Sequence, residues 1–225
     1  MKLIARGAEA ELYLAEWGGL RVVVKRRVAK PYRHRSLDEW LRRKRTITEA
    51  RMLVRSLELG LDVPVLYEAS VRDATLVMEF FDGRPLRWLI EERGVDGLVA
   101  SATRRLGYMI GVLHEHGFVH GDVTTSNLLV SRDGRVKLID FGLAGAAEDE
   151  EDMAVDVHLY LRAVESTHPE WAETLYKLFL EGYAEARGRD AVDRISALVK
   201  KLRLMGRYVE ERRRRTVWGE LHSAS

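Results

Sequence analysis

Residues 120–142 read His120-Gly121-Asp122-Val123-Thr124-Thr125-Ser126-Asn127, then Leu128 to Ser131, the turn Arg132-Asp133-Gly134-Arg135, Val136 to Ile139, and finally Asp140-Phe141-Gly142. Two short apolar runs on either side of an Asp-Gly turn predict a hairpin. Asp122 precedes it, with Asn127 five residues later, and Asp140 closes its second run. A carboxylate able to serve as a base, an amide oxygen and a second carboxylate are thereby supplied. Hard oxygen donors of this kind suit Mg²⁺. Phosphoryl transfer asks for such a set, because its needs are positioning and charge neutralisation more than covalent chemistry.

Upstream, the first third of the chain reads as strands around one helix. Lys2 to Ala5 is a short apolar run, and Gly7-Ala8-Glu9-Ala10 is a turn of small residues. Glu11 to Glu16 alternates, Trp17-Gly18-Gly19 turns, and Leu20 to Lys25 is a β-branched run. A helix is expected from Ser36, where Ser36 and Glu39 have capping-box spacing. Its apolar positions are Trp40, Ile47, Ala50, Val54 and Leu57, and Gly60 ends it. Val65 to Ser70 and Ala74 to Phe80 predict a second hairpin around Arg72-Asp73. The character changes after Phe81-Asp82-Gly83. Asp96 to His116 is an amphipathic helix with Leu98, Ala102, Leu106, Met109 and Leu113 on one face and Gly117 closing it. From Glu151 onward the chain reads as helix, broken near His168-Pro169 and Gly188. The expected fold class is α+β and bilobal. Residues 1–81 would form a β-rich lobe with a five-stranded sheet and one or two helices. Residues 82–211 would form an α-helical lobe, and residues 212–225 a basic tail. A cleft between two lobes is a favoured ligand site.

Charge is distributed in blocks. The net charge is only +2, yet Arg21 to Arg45 holds eleven Lys/Arg against two acids, and Arg187 to Val217 holds eleven against four. Glu148 to Asp152 is an unbroken acidic run. Such blocks usually form solvated faces. With no cysteine, disulfide frameworks and thiolate metal sites are excluded, and a cytoplasmic location is expected. No apolar run approaches the ~20 residues needed to span a bilayer, so no membrane partner is expected. Ala191 to Val209 is helical by spacing, with Ile195, Leu198, Leu202, Met205 and Val209 on its apolar face. Lys200, Lys201, Arg203 and Arg207 would face solvent, ahead of Arg212-Arg213-Arg214-Arg215 and Trp218.

The order and spacing of 120–142 resemble the catalytic loop and the Asp-Phe-Gly motif of protein kinases. The resemblance implies ATP with Mg²⁺ (Mn²⁺ being possible), Asp122 as catalytic base, and Asn127 and Asp140 as metal ligands. Lys25, closing Val22-Val23-Val24, resembles the lysine that holds the α- and β-phosphates. Its carboxylate partner would be Glu49, with Glu39 the runner-up. Gly7, Ala8, Glu9 and Ala10 stand where kinases carry a glycine-rich loop, with one glycine in place of several. Met78-Glu79-Phe80-Phe81 resembles a hinge, at which adenine would bond the Glu79 carbonyl and the Phe81 N–H.

Several features depart from ordinary kinases. The usual Arg of the catalytic triplet is Gly121, and Thr124 replaces the usual Lys. There is no Ser, Thr or Tyr from Arg132 to His158, so no phosphosite can switch this loop, and no Ala-Pro-Glu motif follows it. The catalytic loop also resembles those of aminoglycoside and choline phosphotransferases, although few residues remain for their helical insert. A closer resemblance covers nearly the whole chain. The catalytic loop, Tyr32-Arg33-His34, Leu37-Asp38, Arg45 to Arg51, Ala154-Val155-Asp156 and Ser166-Thr167-His168-Pro169 are similar to the small atypical kinase of the KEOPS assembly. That is the p53-related protein kinase family in its archaeal-like form, with RIO kinases as distant cousins. This resemblance implies an ATPase and Ser/Thr kinase in tRNA threonylcarbamoyladenosine formation. Its implied partners are the threonylcarbamoyl transferase subunit, a small subunit on the β-rich lobe, and tRNA through the basic tail. A nucleotide-gated binding module and a small-molecule phosphotransferase are the alternatives.

Overall fold

In the computed structural model of the chain, the backbone is described for residues 1–222 and side chains for residues 1–205. The first elements are β1 (Lys2–Arg6), β2 (Ala10–Trp17), β3 (Leu20–Arg27), α1 (Arg35–Glu58), β4 (Leu66–Ser70) and β5 (Thr75–Glu79). They are followed by β6 (Arg84–Pro85), α2 (Leu86–Arg93), α3 (Gly97–Glu115), β7 (Phe118–Val119), β8 (Leu128–Val130), β9 (Val136–Leu138) and β10 (Gly145–Ala146). The chain then continues as α4 (Glu150–Thr167), α5 (Ala172–Arg187) and α6 (Arg189–His222). The fold is α+β: a β-rich N-terminal lobe and a helical C-terminal lobe.

β1 to β5 form one antiparallel sheet in the order β1-β2-β3-β5-β4. The β-branched run of β3 sits at its centre, where both edges are hydrogen-bonded. Lys25 lies opposite Leu12 on β2 and Leu76 on β5. Strand alternation puts Arg27 on the same face as Lys25.

α1 differs from its sequence reading in two ways. The helix begins one residue earlier, at Arg35, so Ser36 lies inside it and the expected capping box does not form. Ser36 instead bonds His34 Nδ1 at 2.8 Å, and Glu39 pairs with Arg35. The expected apolar stripe is also displaced, since Trp40 is 55% and Val54 46% exposed. The buried face carries Asp38, Thr46, Glu49, Met52, Leu53 and Ser56. Hydrophobic periodicity fails here because this helix turns a polar face inward, toward charged groups that satisfy it. Asp38, for example, accepts from Arg42 Nε at 2.7 Å and from the Lys30 N–H at 3.1 Å.

In the C-terminal lobe the expected amphipathic helix is α3. Asp96 caps it by accepting from the Val99 N–H at 2.9 Å. Leu106, Met109, Ile110 and Leu113 are fully buried against Phe179 and Tyr183 of α5 and Tyr160 of α4. Tyr160 and Phe179 stack with centroids 4.3 Å apart. α3 and α5 meet backbone to backbone. A Cβ on Gly107 would fall 1.9 Å from the Phe179 carbonyl oxygen, and one on Gly182 would fall 1.8 Å from that of Arg104. Only glycine permits this approach.

The acidic run is the start of α4, where Asp149 caps the Glu151 and Asp152 N–H groups. Glu150, Glu151 and Asp152 complement the positive end of the helix dipole. α6 buries Ala191, Ile195 and Val199, with Leu198 and Leu202 partly covered. Met205 is 46% exposed, so the expected stripe leaves the core before it reaches that residue. Lys201 pairs with Glu151 and Arg203 with Glu165, tying α6 to α4. The α6 backbone runs on to His222. The side chains of Arg207, Val209, Arg212 to Arg215 and Trp218 lie outside the described residues. Among the described residues no helix is long and apolar enough to cross a membrane.

α2 and the short pairs β6–β8 and β7–β10 had no sequence expectation. Two turns of helix are too few for periodicity to register. Two-residue strands are defined only by their partners.

Candidate active site

The strand β3, the helix α1 and the end of β9 converge on a buried group of charges. Lys25 Nζ donates to Glu49 Oε1 at 2.7 Å and to Asp140 Oδ1 at 2.9 Å. Arg27 Nη2 donates to the other oxygen, Glu49 Oε2, at 2.5 Å. Lys25, Arg27 and Glu49 are all buried. A lone ion there would cost several kcal/mol to desolvate, whereas two cations facing two carboxylates offset that cost. Glu49 is therefore the partner of Lys25, and the runner-up Glu39 is not. Burial alone would raise the Asp140 carboxyl, but the Lys25 ammonium, through charge and hydrogen bond, outweighs it and holds the group below the ordinary carboxylate value. Asp140 has φ +65, a left-handed conformation that a non-glycine residue adopts only when its surroundings over-determine it.

The residues of the His120–Asn127 loop assemble beside it. Asn127 Nδ2 donates to both the Asp122 carbonyl and Asp122 Oδ2, each at 2.8 Å. With its NH₂ committed, Asn127 has its amide oxygen left as an acceptor. The Asn127 carbonyl accepts from the Ile139 N–H at 2.9 Å, fixing this loop to the residue before Asp140. His120 adds a second link: its Nε2 donates to the Ile139 carbonyl at 3.2 Å, and its Nδ1 accepts from the Asp122 N–H at 3.3 Å. The Asp140 carboxylate, with a 43% exposed side chain, and the Asn127 amide oxygen are hard donors of the kind a divalent cation takes.

Gly121 explains the missing arginine. Its φ is +78, and a Cβ there would lie 2.3 Å from the Leu143 carbonyl oxygen. The turn after Asp140-Phe141-Gly142 thus occupies the space any side chain at 121 would need.

Four supporting residues carried no assigned role in the sequence reading. Asp156, on α4, accepts from the His120 N–H at 2.6 Å, the Gly121 N–H at 2.7 Å and His114 Nε2 at 3.2 Å. Burial opposes its ionisation, but the His114 bond and these backbone donors outweigh that and keep its carboxyl below the ordinary value. His114 in turn accepts from the Tyr183 hydroxyl through Nδ1 at 2.9 Å. Below the loop, His168 Nε2 lies 3.2 Å from Thr125 Oγ1, and burial lowers the His168 pKa. The fourth is Arg27, which reads in sequence as one more member of a basic run. For Asp156 and His168 the signal was a local match to relatives. For Arg27 it was strand alternation with Lys25.

The small-residue loop between β1 and β2 is pinned from the side. The Gly7 N–H donates to the Ala10 carbonyl at 2.9 Å, and Lys30 Nζ donates to the Ala8 carbonyl. Glu9 pairs with Arg33 at 3.1 Å and Arg45 at 2.9 Å, so its side chain is engaged by α1 and the segment before it. At the lobe junction Met78 is buried in β5, and Glu79 accepts from Lys137 Nζ at 2.7 Å. The Phe80 N–H donates to the Arg21 carbonyl at 3.4 Å, and Phe81 begins the crossing to the second lobe.

Comparison with known proteins agrees with this geometry. The protein kinase domain model matches residues 8–170. The KEOPS complex subunit Bud32 of Pyrococcus abyssi is 44% identical over 216 residues, covering 93% of this chain and 97% of that protein. The EKC/KEOPS complex subunit bud32 of Dictyostelium discoideum is 34% identical, covering 91% and 82%. A probable bifunctional tRNA threonylcarbamoyladenosine biosynthesis protein of Methanosarcina mazei is 39% identical over 90% of this chain, which spans 35% of that longer protein. A kinase domain match over most of the chain, and relatives aligned nearly end to end, place it: the chain belongs to the Bud32 family of protein-kinase-fold proteins.

Proposed function

We propose that this chain is an ATP-hydrolysing, Ser/Thr-kinase-like subunit of a KEOPS-type assembly that makes threonylcarbamoyladenosine in tRNA. The observation that carries the phosphotransfer reading is the position of Lys25, whose ammonium stands between Glu49 and Asp140 at 2.7 and 2.9 Å. In that place it is restrained by one carboxylate and free to exchange the other for phosphate oxygens. Asp140 and the Asn127 amide oxygen would hold Mg²⁺, which neutralises phosphate charge when bound. The turn closed by the Gly7 N–H would bring the Ala8 and Ala10 backbone N–H groups over the phosphates. The Glu79 carbonyl and Phe81 N–H, beyond Met78, would take the adenine. Asp122 would accept the proton as a water or hydroxyl oxygen attacks the γ-phosphorus and the bond to the β–γ bridging oxygen breaks, releasing ADP.

The assembly reading rests on the names of the relatives. The transferase subunit, the small subunit on the β-rich lobe, and tRNA at the basic end of α6 are the partners proposed with it. The absence of any Ser, Thr or Tyr from Arg132 to His158 favours a site that works without loop phosphorylation.

The test is ATP turnover with and without the transferase subunit and tRNA, in the original chain and in Asp140→Ala. Loss of one metal ligand should lower turnover by roughly 10²–10³-fold. The fold should persist, because no core volume is removed. A folded Asp140→Ala protein with near-normal turnover would overturn the assignment. Full tRNA modification by Asp122→Ala, with Lys25→Ala inactive, would instead make the chain a nucleotide-gated binding module.

A further inference from the structure

We infer that Arg27 is a positioning residue that keeps this nucleotide site assembled without an activation-loop phosphate; the inference rests on the ATP-binding reading above. Three observations carry it. First, Arg27 is buried and occupies one oxygen of Glu49 at 2.5 Å while Lys25 occupies the other at 2.7 Å. Glu49 is thus held even when Lys25 turns toward phosphate. Second, the Arg27 guanidinium lies against the Asp140-Phe141-Gly142 turn: a Cβ on Gly142 would fall 2.5 Å from Arg27 Nη2 and 3.3 Å from Asp140 Oδ1. The same side chain therefore touches both the α1 carboxylate and the turn that carries Asp140 in its left-handed conformation. Third, the residues that could otherwise report loop phosphorylation are missing. Gly121 leaves no room for an arginine, and the loop has no hydroxyl to modify.

The charges explain how the device works. Lys25, Arg27, Glu49 and Asp140 are two cations and two anions in one cluster, buried at Lys25, Arg27 and Glu49 and open to solvent at Asp140. When Lys25 exchanges the Asp140 oxygen for a phosphate, Arg27 remains as the partner that holds Glu49 in place. The planar fork suits this, since one Arg can face two neighbours at once. A neutral residue of similar length would leave Lys25 as the sole partner of two carboxylates and pull it from the phosphate position.

The experiment compares the full chain with Arg27→Met and Arg27→Lys, each checked for fold by circular dichroism. Affinities for Mg·ATP and for adenosine are measured by titration calorimetry. Removing one charge-assisted hydrogen bond from the clamp should weaken Mg·ATP binding by about tenfold. Adenosine binding should stay within about twofold, because Arg27 acts on the phosphate end. Arg27→Lys, which keeps the charge but loses the fork, should fall between. In a Glu49→Gln background, Arg27→Met should lose most of its effect, as a residue acting through Glu49 must. Undiminished Mg·ATP affinity in folded Arg27→Met, or equal weakening of both ligands, overturns the inference. Should Arg27→Met not fold, wild-type Mg·ATP affinity in Arg27→Lys does the same. An original chain that binds no nucleotide overturns the ATP reading and this inference together. One that binds but does not turn over removes only the ATPase reading and leaves the binding comparison decisive.

Discussion

Gly121→Ala is expected to be among the most damaging single-methyl additions in the C-terminal lobe. Two costs combine. Gly121 has φ +78, and an L-residue held in the left-handed region costs roughly 1–2 kcal/mol. The new Cβ would also stand 2.3 Å from the Leu143 carbonyl oxygen and 2.8 Å from its carbon. Ordinary contact needs about another ångström, and forcing such a shift costs about 1–3 kcal/mol. Together these come to about 2–5 kcal/mol, or roughly 4–20 °C in Tm at about 2–4 °C per kcal/mol for a chain of this length. Two controls separate the terms. Gly117 has φ +74 with open space around its Cβ, so Gly117→Ala carries the conformational cost alone. Gly145 has open space and no positive φ, so Gly145→Ala should be near neutral. Thermal unfolding should rank them Gly145→Ala, Gly117→Ala, Gly121→Ala in increasing damage. Turnover per folded molecule should fall in Gly121→Ala only, because Leu143 and the catalytic loop must part. If Gly121→Ala melted as high as Gly117→Ala with normal turnover, the steric account of the missing arginine would be refuted.

Four further outcomes are expected. Asp156→Ala should cost about 3 kcal/mol by leaving the His120 and Gly121 N–H groups and His114 without their shared acceptor, measurable by denaturant unfolding. The same residue sets a pH limb. Its folded pKa lies below the ordinary 3.8, so its stabilisation is complete at pH values above that figure and is lost as pH falls through the lower folded value. A Tm–pH curve of Asp156→Ala should be flatter than that of the original chain across this acid range, and parallel curves would refute the linkage. Gly107→Ala should separate α3 from α5 and lower Tm by ~6 °C or more, since neither backbone can yield locally; an unchanged Tm would show that this helix contact is not tight. Deleting residues 212–225 should weaken tRNA binding and reduce the log–log salt slope by roughly three units, about 0.7 for each of four arginines, while leaving ATP binding intact. An unchanged slope would remove the tail from the tRNA surface.

The local grammar of residues 120–142 carried the resemblance to protein kinases, whereas the narrower family rested on matches spread over nearly the whole chain and the α+β fold on the order of strands and helices. Polar groups at fixed spacing around a hairpin are a one-dimensional signal, since chain connectivity alone holds them near each other. The same holds for the amphipathic α3, whose apolar face is read from residues one turn apart. α1 was harder because its inward face is polar. Periodicity placed the exposed Trp40 and Val54 on the core side, and only the packing of α1 against β4 and β5 of the sheet turned Asp38 and Glu49 inward. Gly121 read in sequence as an absence. The fold makes it a requirement, because the occupant of its space, Leu143, is 22 positions away. Asp156 and Arg27 likewise gained their roles from partners far along the chain, His120 for one and Glu49 for the other. The sequence by itself determined which chemical groups this chain offers and in what order. Only the tertiary structure decided which of its many charges are buried together, because desolvation and counter-charge are properties of a place in space and not of a position in the chain.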